Sequence, residues 1–241
     1  MTTIKRAIFI AAGTGTRLRP VTNEMPKPLI PVNGKRIIDS AIDALRSNGI
    51  EEIYIIVGYM KEAFEEAYEK DTHIHLIENP HYLEGNNITS LYVAREFLPE
   101  SFVLEADILI QNPAIFSPEI EKSGYMATWM DPAPEWLIGV ENNRIVSCEI
   151  EGCRPSYRLW GISMWDKEQG EKLAEEIRHL FEDEHKWDIY WDQVALMLSK
   201  EQYDLGIREI PEHSLCEIDT VAELADMDPS YEKYLAEVVS K

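Results

Sequence analysis

The chain has 241 residues, 45% of them apolar and 10% aromatic, which suffices for one large domain with a substantial core. Its 44 acidic residues outnumber the 23 basic ones, and the net charge of −21 argues against nucleic acid or an anionic membrane as main partner. Cys148, Cys153 and Cys216 lack metal-ligand spacing, and neither a signal peptide nor an apolar run of membrane length is evident. We therefore expect a cytoplasmic protein with reduced thiols.

Strands and helices alternate in the first half of the sequence. The apolar pattern predicts strands over 4–11, 53–57, 73–77 and 102–104, and helices over 37–47, 61–68 and 89–97. The first helix ends at Asn48-Gly49, a favourable C-terminal cap. This βαβα order predicts a parallel sheet with right-handed crossovers, and ligands of such sheets bind beyond the carboxyl ends of the strands.

Shorter strands dominate the second half of the sequence. They are predicted over 125–129, 137–140, 144–150, 159–164 and 205–210, with helices over 167–181 and 187–198 and two acidic helices at the end. Because no repeat or linker interrupts this order, we expect a single domain over residues 1–241.

A loop of small residues, Ala11-Ala12-Gly13-Thr14-Gly15-Thr16, follows the first predicted strand. Glycines at a strand end let backbone N–H groups approach phosphate oxygens closely, and Arg17 and Lys27 add positive charge to an acidic chain. The loop lacks the Lys-Ser/Thr of a Walker loop, and Leu18 stands where a dinucleotide-binding loop needs glycine or alanine. The segment therefore predicts a polyphosphate site of another kind, with a tight turn bearing surface cations as the alternative.

Two aspartates are candidate metal ligands. Asp107 follows a predicted strand that ends at the same sheet edge as the glycine loop, and Asp219 closes the run Glu217-Ile218-Asp219. Carboxylate oxygens suit Mg²⁺, which often takes one or two carboxylates together with phosphate oxygens and water. The structural alternatives are a turn cap for Asp107 and the N-cap of a helix over 220–227 for Asp219.

All six tryptophans fall between residues 129 and 191. Trp187 and Trp191 would share one face of the predicted helix over 187–198, with Asp188 and Asp192 on the adjoining face. Aromatic rings beside a carboxylate suit a quaternary ammonium group, which offers no hydrogen-bond donor and is held by cation–π attraction. The alternative for any one of these rings is a place in the core.

The run from Gly13 to Lys27 resembles the nucleotidyltransferase family of sugar-1-phosphate pyrophosphorylases and CTP-dependent cytidylyltransferases. Nearly end to end, the chain is similar to the bacterial CTP:phosphocholine cytidylyltransferases within that family. The motifs that carry this closer resemblance are Ile56-Val57-Gly58-Tyr59, Asn86-Asn87 with Ser90-Leu91, the strand into Asp107, Glu135-Trp136, Gly161-Ile162-Ser163, Asp188-Ile189-Tyr190-Trp191-Asp192 and Glu217-Ile218-Asp219.

The resemblance implies a Rossmann-like α/β fold, with a central mixed, mostly parallel sheet flanked by helices and a smaller β/α part that binds the acceptor. The CTP-binding half would span about 1–110 and the acceptor-binding half about 111–241. It also implies a Mg²⁺ cofactor held by Asp107 and Asp219. Arg17 and Lys27 would be the catalytic cations, with Arg17 on the β- and γ-phosphates and Lys27 on the α-phosphate or the acceptor.

Two further sets of contacts follow from the resemblance. The implied nucleotide contacts are Ala11, Ala12, Gly13, Gly15, Thr16, Asn86, Asn87 and Ser90, with a turn or a helix cap as the alternative for the two asparagines. The implied acceptor contacts are Trp136, Tyr190 and Asp192, to which we add Arg158, Trp160 and Asp188 as further candidates.

The partners implied are CTP and a small cationic phosphate ester or phosphonate, phosphocholine first. 2-Aminoethylphosphonate and phosphoethanolamine are the nearest alternatives, since a primary ammonium would rely more on carboxylates and less on rings. Met130 stands where the resemblance leads us to expect a basic residue, so Arg158 or Arg154 would have to meet the acceptor phosphate. A sugar-1-phosphate nucleotidyltransferase and a non-catalytic nucleotide-binding subunit are more distant alternatives, and the oligomeric state is left open.

Overall fold

The structure, a computed structural model, describes residues 1–238; the last three residues of the predicted domain, 239–241, lie outside the described residues. The longer strands are β1 (Arg6–Ile10), β2 (Glu52–Val57), β3 (Ile74–Glu78), β4 (Ser101–Glu105), β5 (Ile108–Ile110), β6 (Gly124–Pro134), β7 (Leu137–Glu141), β8 (Arg144–Glu149), β9 (Cys153–Trp165), β10 (Gly206–Glu209) and β11 (Leu215–Glu217). Two-residue strands lie at Thr2–Thr3, Pro31–Val32, Lys35–Arg36 and Glu119–Ile120.

Helices connect and cover these strands. The α-helices are α1 (Ile37–Ser47), α2 (Lys61–Tyr68), α3 (Ile88–Ala94), α4 (Lys167–Glu182), α5 (Val221–Met227) and α6 (Leu235–Val238). Short 3₁₀ turns lie at Thr16–Leu18, Val21–Asn23, Lys27–Leu29, Arg95–Phe97, Pro113–Phe116, Lys200–Gln202 and Pro229–Tyr234, and a π-helical turn lies at Val194–Leu198. Among residues 1–238, no helix is both long and apolar enough to cross a membrane.

One mixed sheet of nine strands forms the centre of the fold. Its path is β8-β7-β9-β4-β1-β2-β3, with β6 pairing to β9 and β10 pairing to β6. The neighbours β4, β1, β2 and β3 run parallel, whereas β9 is antiparallel to β4, β6 and β7. The predicted α/β class with a mixed sheet is therefore confirmed. Its four adjacent parallel strands come from the first half of the chain, and in the second half β10 pairs with β6 in parallel.

The two faces of the sheet bury different helices, which follows from the alternation of side chains along each strand. On one face Phe9 of β1 packs in a cluster with Ile42 of α1 and Phe64 of α2. On the other face the neighbouring Ile8 packs in a cluster with residues of α3 and α4 such as Leu91. Both clusters are buried, so the carboxyl ends of the parallel strands are held in fixed positions beneath the loops that follow them.

The predicted bounds of α1 and α2 are confirmed, and α4 begins as predicted after Asp166, whose carboxylate caps it by accepting from the Gln169 N–H at 2.9 Å. The predicted helix over 89–97 is α3 followed by a 3₁₀ turn. Two strands of the second half are longer than predicted, since β6 extends to Pro134 and β9 begins at Cys153, whereas β8 and β10 are slightly shorter.

The predicted helix over 187–198 is wrong in its first part, because regular helix begins only at Asp192. The backbone of the preceding residues is engaged elsewhere. The Trp187 carbonyl accepts from the Asn86 N–H at 2.8 Å, and the Trp191 N–H donates to the Asn87 side chain at 2.9 Å. These tertiary hydrogen bonds replace the local ladder of a helix, so Trp187 and Trp191 do not share a helix face.

Candidate active site

The glycine loop holds a conformation that its sequence requires. Gly15 has a left-handed φ of +59°, and a Cβ there would lie 3.0 Å from Thr22 Cγ2 and 3.1 Å from Lys27 Cβ. Its carbonyl accepts a hydrogen bond from Thr22 Oγ1 at 2.9 Å. Because a side chain would be both strained and crowded, glycine at this position lets the loop fold back onto the segment that carries Lys27.

A cavity of about 520 Å³ opens between this loop and the carboxyl end of the sheet. It is lined by Ile10, Ala11, Ala12, Gly13, Thr14, Gly15, Thr16, Arg17, Leu18, Lys27, Pro28, Tyr82, Leu83, Gly85, Asn86, Asn87, Thr89, Ser90, Glu105, Ala106, Asp107 and Asp219. The structure therefore brings together the eight predicted nucleotide contacts, the two predicted catalytic cations and the two predicted metal ligands. The predicted acceptor contacts are not among these lining residues.

Lys27 joins the two predicted metal ligands. Its Nζ donates to Asp107 Oδ2 at 2.7 Å and to Asp219 Oδ1 at 2.8 Å, while Arg17 Nη1 donates to Asp219 Oδ2 at 2.8 Å. Burial alone would lower the pKa of Lys27, but the attraction of Asp107 and Asp219 outweighs burial and raises it. Lys27 is therefore charged at neutral pH, and the cations and carboxylates of the site neutralise one another.

Three carboxylates converge beside Lys27. One oxygen each of Asp107, Glu217 and Asp219 lies within 4.8 Å of the other two. Asp107 Oδ1 is buried and has no hydrogen-bond partner among residues 1–238, so an oxygen remains for a cation. These residues fit the predicted Mg²⁺, which prefers carboxylate oxygens. Glu217 was not predicted as a ligand, although its place two residues before Asp219 in an extended segment could have indicated it.

Burial, followed by the neighbouring Asp107 and Asp219 carboxylates, raises the pKa of Glu217 to about 8. Asp219 is not the N-cap of α5, so that alternative is wrong. Thr220 caps the helix instead, because its Oγ1 accepts from the Glu223 N–H at 3.2 Å and its own N–H donates to the Glu223 carboxylate at 2.8 Å. The carboxylate of Asp219 is thereby left to Arg17 and Lys27.

The asparagine pair has two different surroundings. The side-chain oxygen of Asn86 accepts from the Asn87 N–H at 2.8 Å. Asn87 uses both ends of its amide within the protein, because Nδ2 donates to Glu105 Oε1 at 2.9 Å and Oδ1 accepts from the Trp191 N–H at 2.9 Å. Ser90 is buried and its hydroxyl accepts from Asn79 at 3.1 Å. Asn87 therefore links the cavity to the segment that precedes the π-helical turn.

The loop at 82–87 touches that same segment through its backbone. A Cβ on Gly85 would lie 2.2 Å from the carbonyl oxygen of Trp187, so only glycine permits this approach. With the Asn86 and Asn87 hydrogen bonds, the contact makes a continuous seam between the nucleotide cavity and residues 187–191.

Trp136 and Tyr190 form an aromatic corner. Their rings meet edge to face, with centroids 5.6 Å apart and planes at 89°. Trp136 is half-buried, whereas Tyr190 is 42% exposed. Two rings at right angles give a cationic group two π-surfaces to pack against. The aromatic corner is tied to the cavity through Trp191, the neighbour of Tyr190, which donates to Asn87.

Asp192 is a buried acid close to the aromatic corner in sequence. Burial raises its pKa to about 7, although the neighbouring Tyr125 hydroxyl lowers it. Both Asp192 Oδ1 and the Tyr125 hydroxyl are buried without a hydrogen-bond partner among residues 1–238. Glu105, half-buried in the cavity lining, is a second acid that was not predicted from the sequence. Desolvation first, then the neighbouring Asp107, Asp192 and Glu217, raises its pKa well above the usual range.

Arg158 and Trp160 lie apart from the aromatic corner. Trp160 is buried in the cluster that covers one face of the sheet, whereas Trp136 packs against the cluster on the other face. The Arg158 guanidinium stacks over the Trp160 ring at 4.1 Å from its centroid and donates to Glu135 and Glu217. The predicted acceptor contacts thus form two groups rather than one.

Three of the remaining tryptophans belong to the core or its margin. Trp165 and Trp191 are fully buried, and Trp187 stacks on Phe181 with ring centroids 5.0 Å apart. Trp129 is 53% exposed and packs edge to face on Tyr157. Asp188 is exposed on the segment before Asp192. Burial in the core, the alternative weighed for each ring, therefore holds for Trp160, Trp165 and Trp191.

The fold and the site together define the class of protein. A parallel βαβ half ends in a glycine loop, and two cations and a carboxylate cluster stand at the same sheet edge, which is the arrangement of an enzyme that transfers part of a nucleoside triphosphate. A family model described as nucleotidyl transferase matches residues 6–124.

Similar proteins sharpen this assignment. The chain is 34% identical over 228 residues to the 2-aminoethylphosphonate cytidylyltransferase of Lancefieldella rimae, covering 93% of this chain and 92% of that protein. It is 35% identical over 225 residues to the choline-phosphate cytidylyltransferase of Streptococcus pneumoniae, covering 92% of this chain and 96% of that protein. A solved structure of the CTP:phosphocholine cytidylyltransferase from Streptococcus pneumoniae matches with a TM-score of 0.86 at 32% identity, over 94% of this chain and 99% of that one. The chain therefore belongs to the nucleotidyltransferase family, among its cytidylyltransferases.

Proposed function

We propose that the protein transfers CMP from CTP to phosphocholine, giving CDP-choline and pyrophosphate. The observation that carries the proposal is the aromatic corner of Trp136 and Tyr190, joined by the seam at Asn87 to a polyphosphate cavity. A quaternary ammonium group cannot accept or donate a hydrogen bond, so π-faces and nearby negative charge are the means by which a protein holds it.

The acceptor needs no general base. A phosphate monoester has a second pKa of about 6 and is already doubly ionised at neutral pH. One of its oxygens attacks the α-phosphorus of CTP, a new O–P bond forms, and the bond to the β-phosphate oxygen breaks with its electron pair leaving on pyrophosphate. The protein has to position two anions and neutralise their charge. Arg17 holds the β- and γ-phosphates in this proposal, and Lys27 holds the α-phosphate or the attacking oxygen.

Asp107 and Asp219, with Glu217 beside them, would hold Mg²⁺, which when bound neutralises phosphate charge and polarises the α-phosphate. The unpartnered Asp107 Oδ1 supports this assignment. The loop from Ala11 to Thr16 offers backbone N–H groups to the phosphates, and the half-buried Asn86, with Ser90 in the same lining, offers polar contacts to the base. Asn87 positions these contacts rather than meeting the base, since both ends of its amide are engaged.

A second acceptor is 2-aminoethylphosphonate. The buried carboxyl Oδ1 of Asp192 lacks a hydrogen-bond partner among residues 1–238, and a primary ammonium could donate to it. The relative from Lancefieldella rimae, similar along 92% of its own length, carries the name of that reaction.

Pyrophosphate release with Mg²⁺ tests the proposal. Each nucleoside triphosphate is paired with phosphocholine, 2-aminoethylphosphonate, phosphoethanolamine and glucose-1-phosphate. We expect turnover with CTP and the highest kcat/KM with phosphocholine. A higher kcat/KM with 2-aminoethylphosphonate would establish the second acceptor instead, and turnover confined to glucose-1-phosphate would reject both.

A further inference from the structure

Arg158 is a cation that lies against the Glu217 side of the carboxylate cluster. Its Nη2 donates to Glu217 Oε2 at 3.0 Å and to Glu135 Oε2 at 2.8 Å. Lys27 contacts the other two members of the cluster, Asp107 and Asp219. A phosphoryl group that approaches the cluster from the Glu217 side would therefore meet the Arg158 guanidinium, which contacts a member of the candidate metal-binding cluster.

The guanidinium is held in place before any acceptor arrives. It stacks on Trp160, and the Trp160 Nε1–H donates to the buried Thr128 hydroxyl at 2.9 Å, which fixes the ring. The Arg158 side chain is only 15% exposed, and its Nε is buried with no hydrogen-bond partner among residues 1–238. A fixed, planar guanidinium suits the oxygens of a phosphoryl group, which Arg binds through parallel hydrogen bonds.

Glu135 is the weaker of the two carboxylates that hold Arg158. Its side chain is 55% exposed, against 28% for Glu217, and it stands in the turn between β6 and β7. Solvent screens an exposed pair, so the Glu135 contact contributes little. A phosphoryl dianion carries more charge and more acceptor oxygens than one carboxylate, and it can therefore replace Glu135 at the guanidinium.

We propose that Arg158 is a specificity-determining residue that binds the phosphoryl oxygens of the acceptor by exchanging Glu135 for them. Throughout the exchange Arg158 remains stacked on Trp160 and bonded to Glu217. The proposal rests on the proposed function in one respect, that the acceptor is a phosphate monoester or a phosphonate. It assigns the Arg158 group to the phosphoryl end of the acceptor and leaves the aromatic corner to its cationic end.

Methylphosphonate is the probe, because it carries the phosphoryl group without the ammonium. It is titrated calorimetrically into protein saturated with Mg²⁺ and a non-hydrolysable CTP analogue. We expect Arg158→Gln to weaken binding about 30-fold, and Arg158→Lys to weaken it less because the charge is kept. Arg144→Gln is the matched control: it lies on strand β8, pairs with the exposed Asp204 and should change the affinity by less than about twofold.

Glu135→Gln separates this role from a purely structural one. Removing the competing carboxylate should tighten methylphosphonate binding about threefold, whereas loss of a mere structural partner would leave binding unchanged or weaken it. Unchanged or weaker binding to Glu135→Gln overturns the exchange. If Arg158→Gln does not fold, as judged by thermal unfolding, Arg158→Lys and Glu135→Gln still decide the question.

The proposal is overturned if Arg158→Gln binds methylphosphonate as the wild type does, or if the wild type does not bind it at all. The proposed function has its own, separate readout in pyrophosphate release by the wild type. If the wild type shows no turnover with phosphocholine, 2-aminoethylphosphonate or phosphoethanolamine but binds methylphosphonate in an Arg158-dependent way, the proposed acceptors are rejected and the role of Arg158 is retained.

Discussion

Half of the lining of the proposed nucleotide site comes from one stretch of chain, residues 10–18 with Lys27-Pro28, whereas the proposed acceptor contacts come from separate elements. Trp136 stands before β7, Arg158 lies on β9, and Tyr190 and Asp192 both precede the π-helical turn that begins at Val194. The residues of a continuous loop can be recognised from their spacing in the sequence. The residues of a site assembled across a sheet come together only through the strand register and the face on which each side chain lies. Four predictions test that contrast, beginning with the largest effect.

Lys27→Met should reduce kcat about 100- to 1000-fold with either acceptor, because a preorganised charge at the reacting phosphate is lost. The same substitution leaves Asp107 and Asp219 without their shared partner, so Mg²⁺ dependence should also change. Steady-state kinetics with CTP measures both effects. Lys35→Met, which removes a partner of the exposed Asp43, is the control. A kcat within about fivefold of the wild type would contradict the assigned role.

Trp136→Ala should act on the acceptor alone. Loss of a desolvated cation–π contact of about 2 kcal/mol corresponds to a rise of about 30-fold in the KM for phosphocholine. The KM for CTP should stay within about twofold, since Trp136 does not line the cavity. Trp129→Ala removes an exposed ring that packs on Tyr157 and serves as control. Equal losses for CTP and phosphocholine would show that the two sides are not separate.

Asp192→Asn should raise the thermal stability of the protein at alkaline pH and weaken acceptor binding. The folded-state pKa of about 7 lies above the ordinary 3.8, so the native state holds a proton that the unfolded state releases. Stability from this group is therefore lost as the pH rises through that window, and the Asn variant avoids the loss. Its thermal midpoint should exceed that of the wild type by several degrees at about pH 8 and by little at about pH 4.

The same ionisation predicts a pH effect on the acceptor. Above about pH 7 Asp192 is charged and attracts the ammonium, so the ratio of wild-type to Asp192→Asn kcat/KM for phosphocholine should rise between about pH 6 and pH 8. Taking the ratio cancels the ionisation of the acceptor itself. Asp43→Asn, on an exposed pair with Lys35, should reproduce neither effect. A flat ratio would remove Asp192 from the acceptor site.

Asn87→Ala should give the smallest effect and the least selective one. It removes two hydrogen bonds at once, to Glu105 and to the Trp191 N–H, and should raise the KM of both substrates about fivefold. The control is Asn48→Ala, whose side chain bonds to the Ala44 and Pro113 carbonyls away from the cavity. A rise confined to CTP would instead favour direct contact of Asn87 with the base.

The elements with strong local signals were predictable. The helix at 37–47 follows its apolar stripe and its Asn48-Gly49 ending, and both α1 and α2 have the predicted bounds. The residues of the glycine loop meet in one cavity because a parallel strand delivers them all to one sheet edge. The family was therefore readable from residues 11–29.

The acceptor side resisted prediction for a physical reason. Trp187 and Trp191 have helical spacing, yet the backbone of the segment 187–191 forms hydrogen bonds with Asn86 and Asn87, which lie far away in the sequence. The placement of Trp136 and Trp160 against different faces of the sheet depends on strand register, which the sequence pattern alone left open. The position of the Glu105 side chain likewise depends on Gly161, where a Cβ would lie 2.5 Å from Glu105 Cγ.

The bridge from Lys27 to Asp107 and Asp219 gives the carboxylate cluster a counter-ion that cannot diffuse away. In the proposed reaction a divalent ion binding between Asp107 and Asp219 would compete with the Lys27 ammonium, whereas a nucleotide would bring phosphate oxygens to which Lys27 can turn. We therefore expect the cluster to take up Mg²⁺ more readily together with a nucleotide than alone.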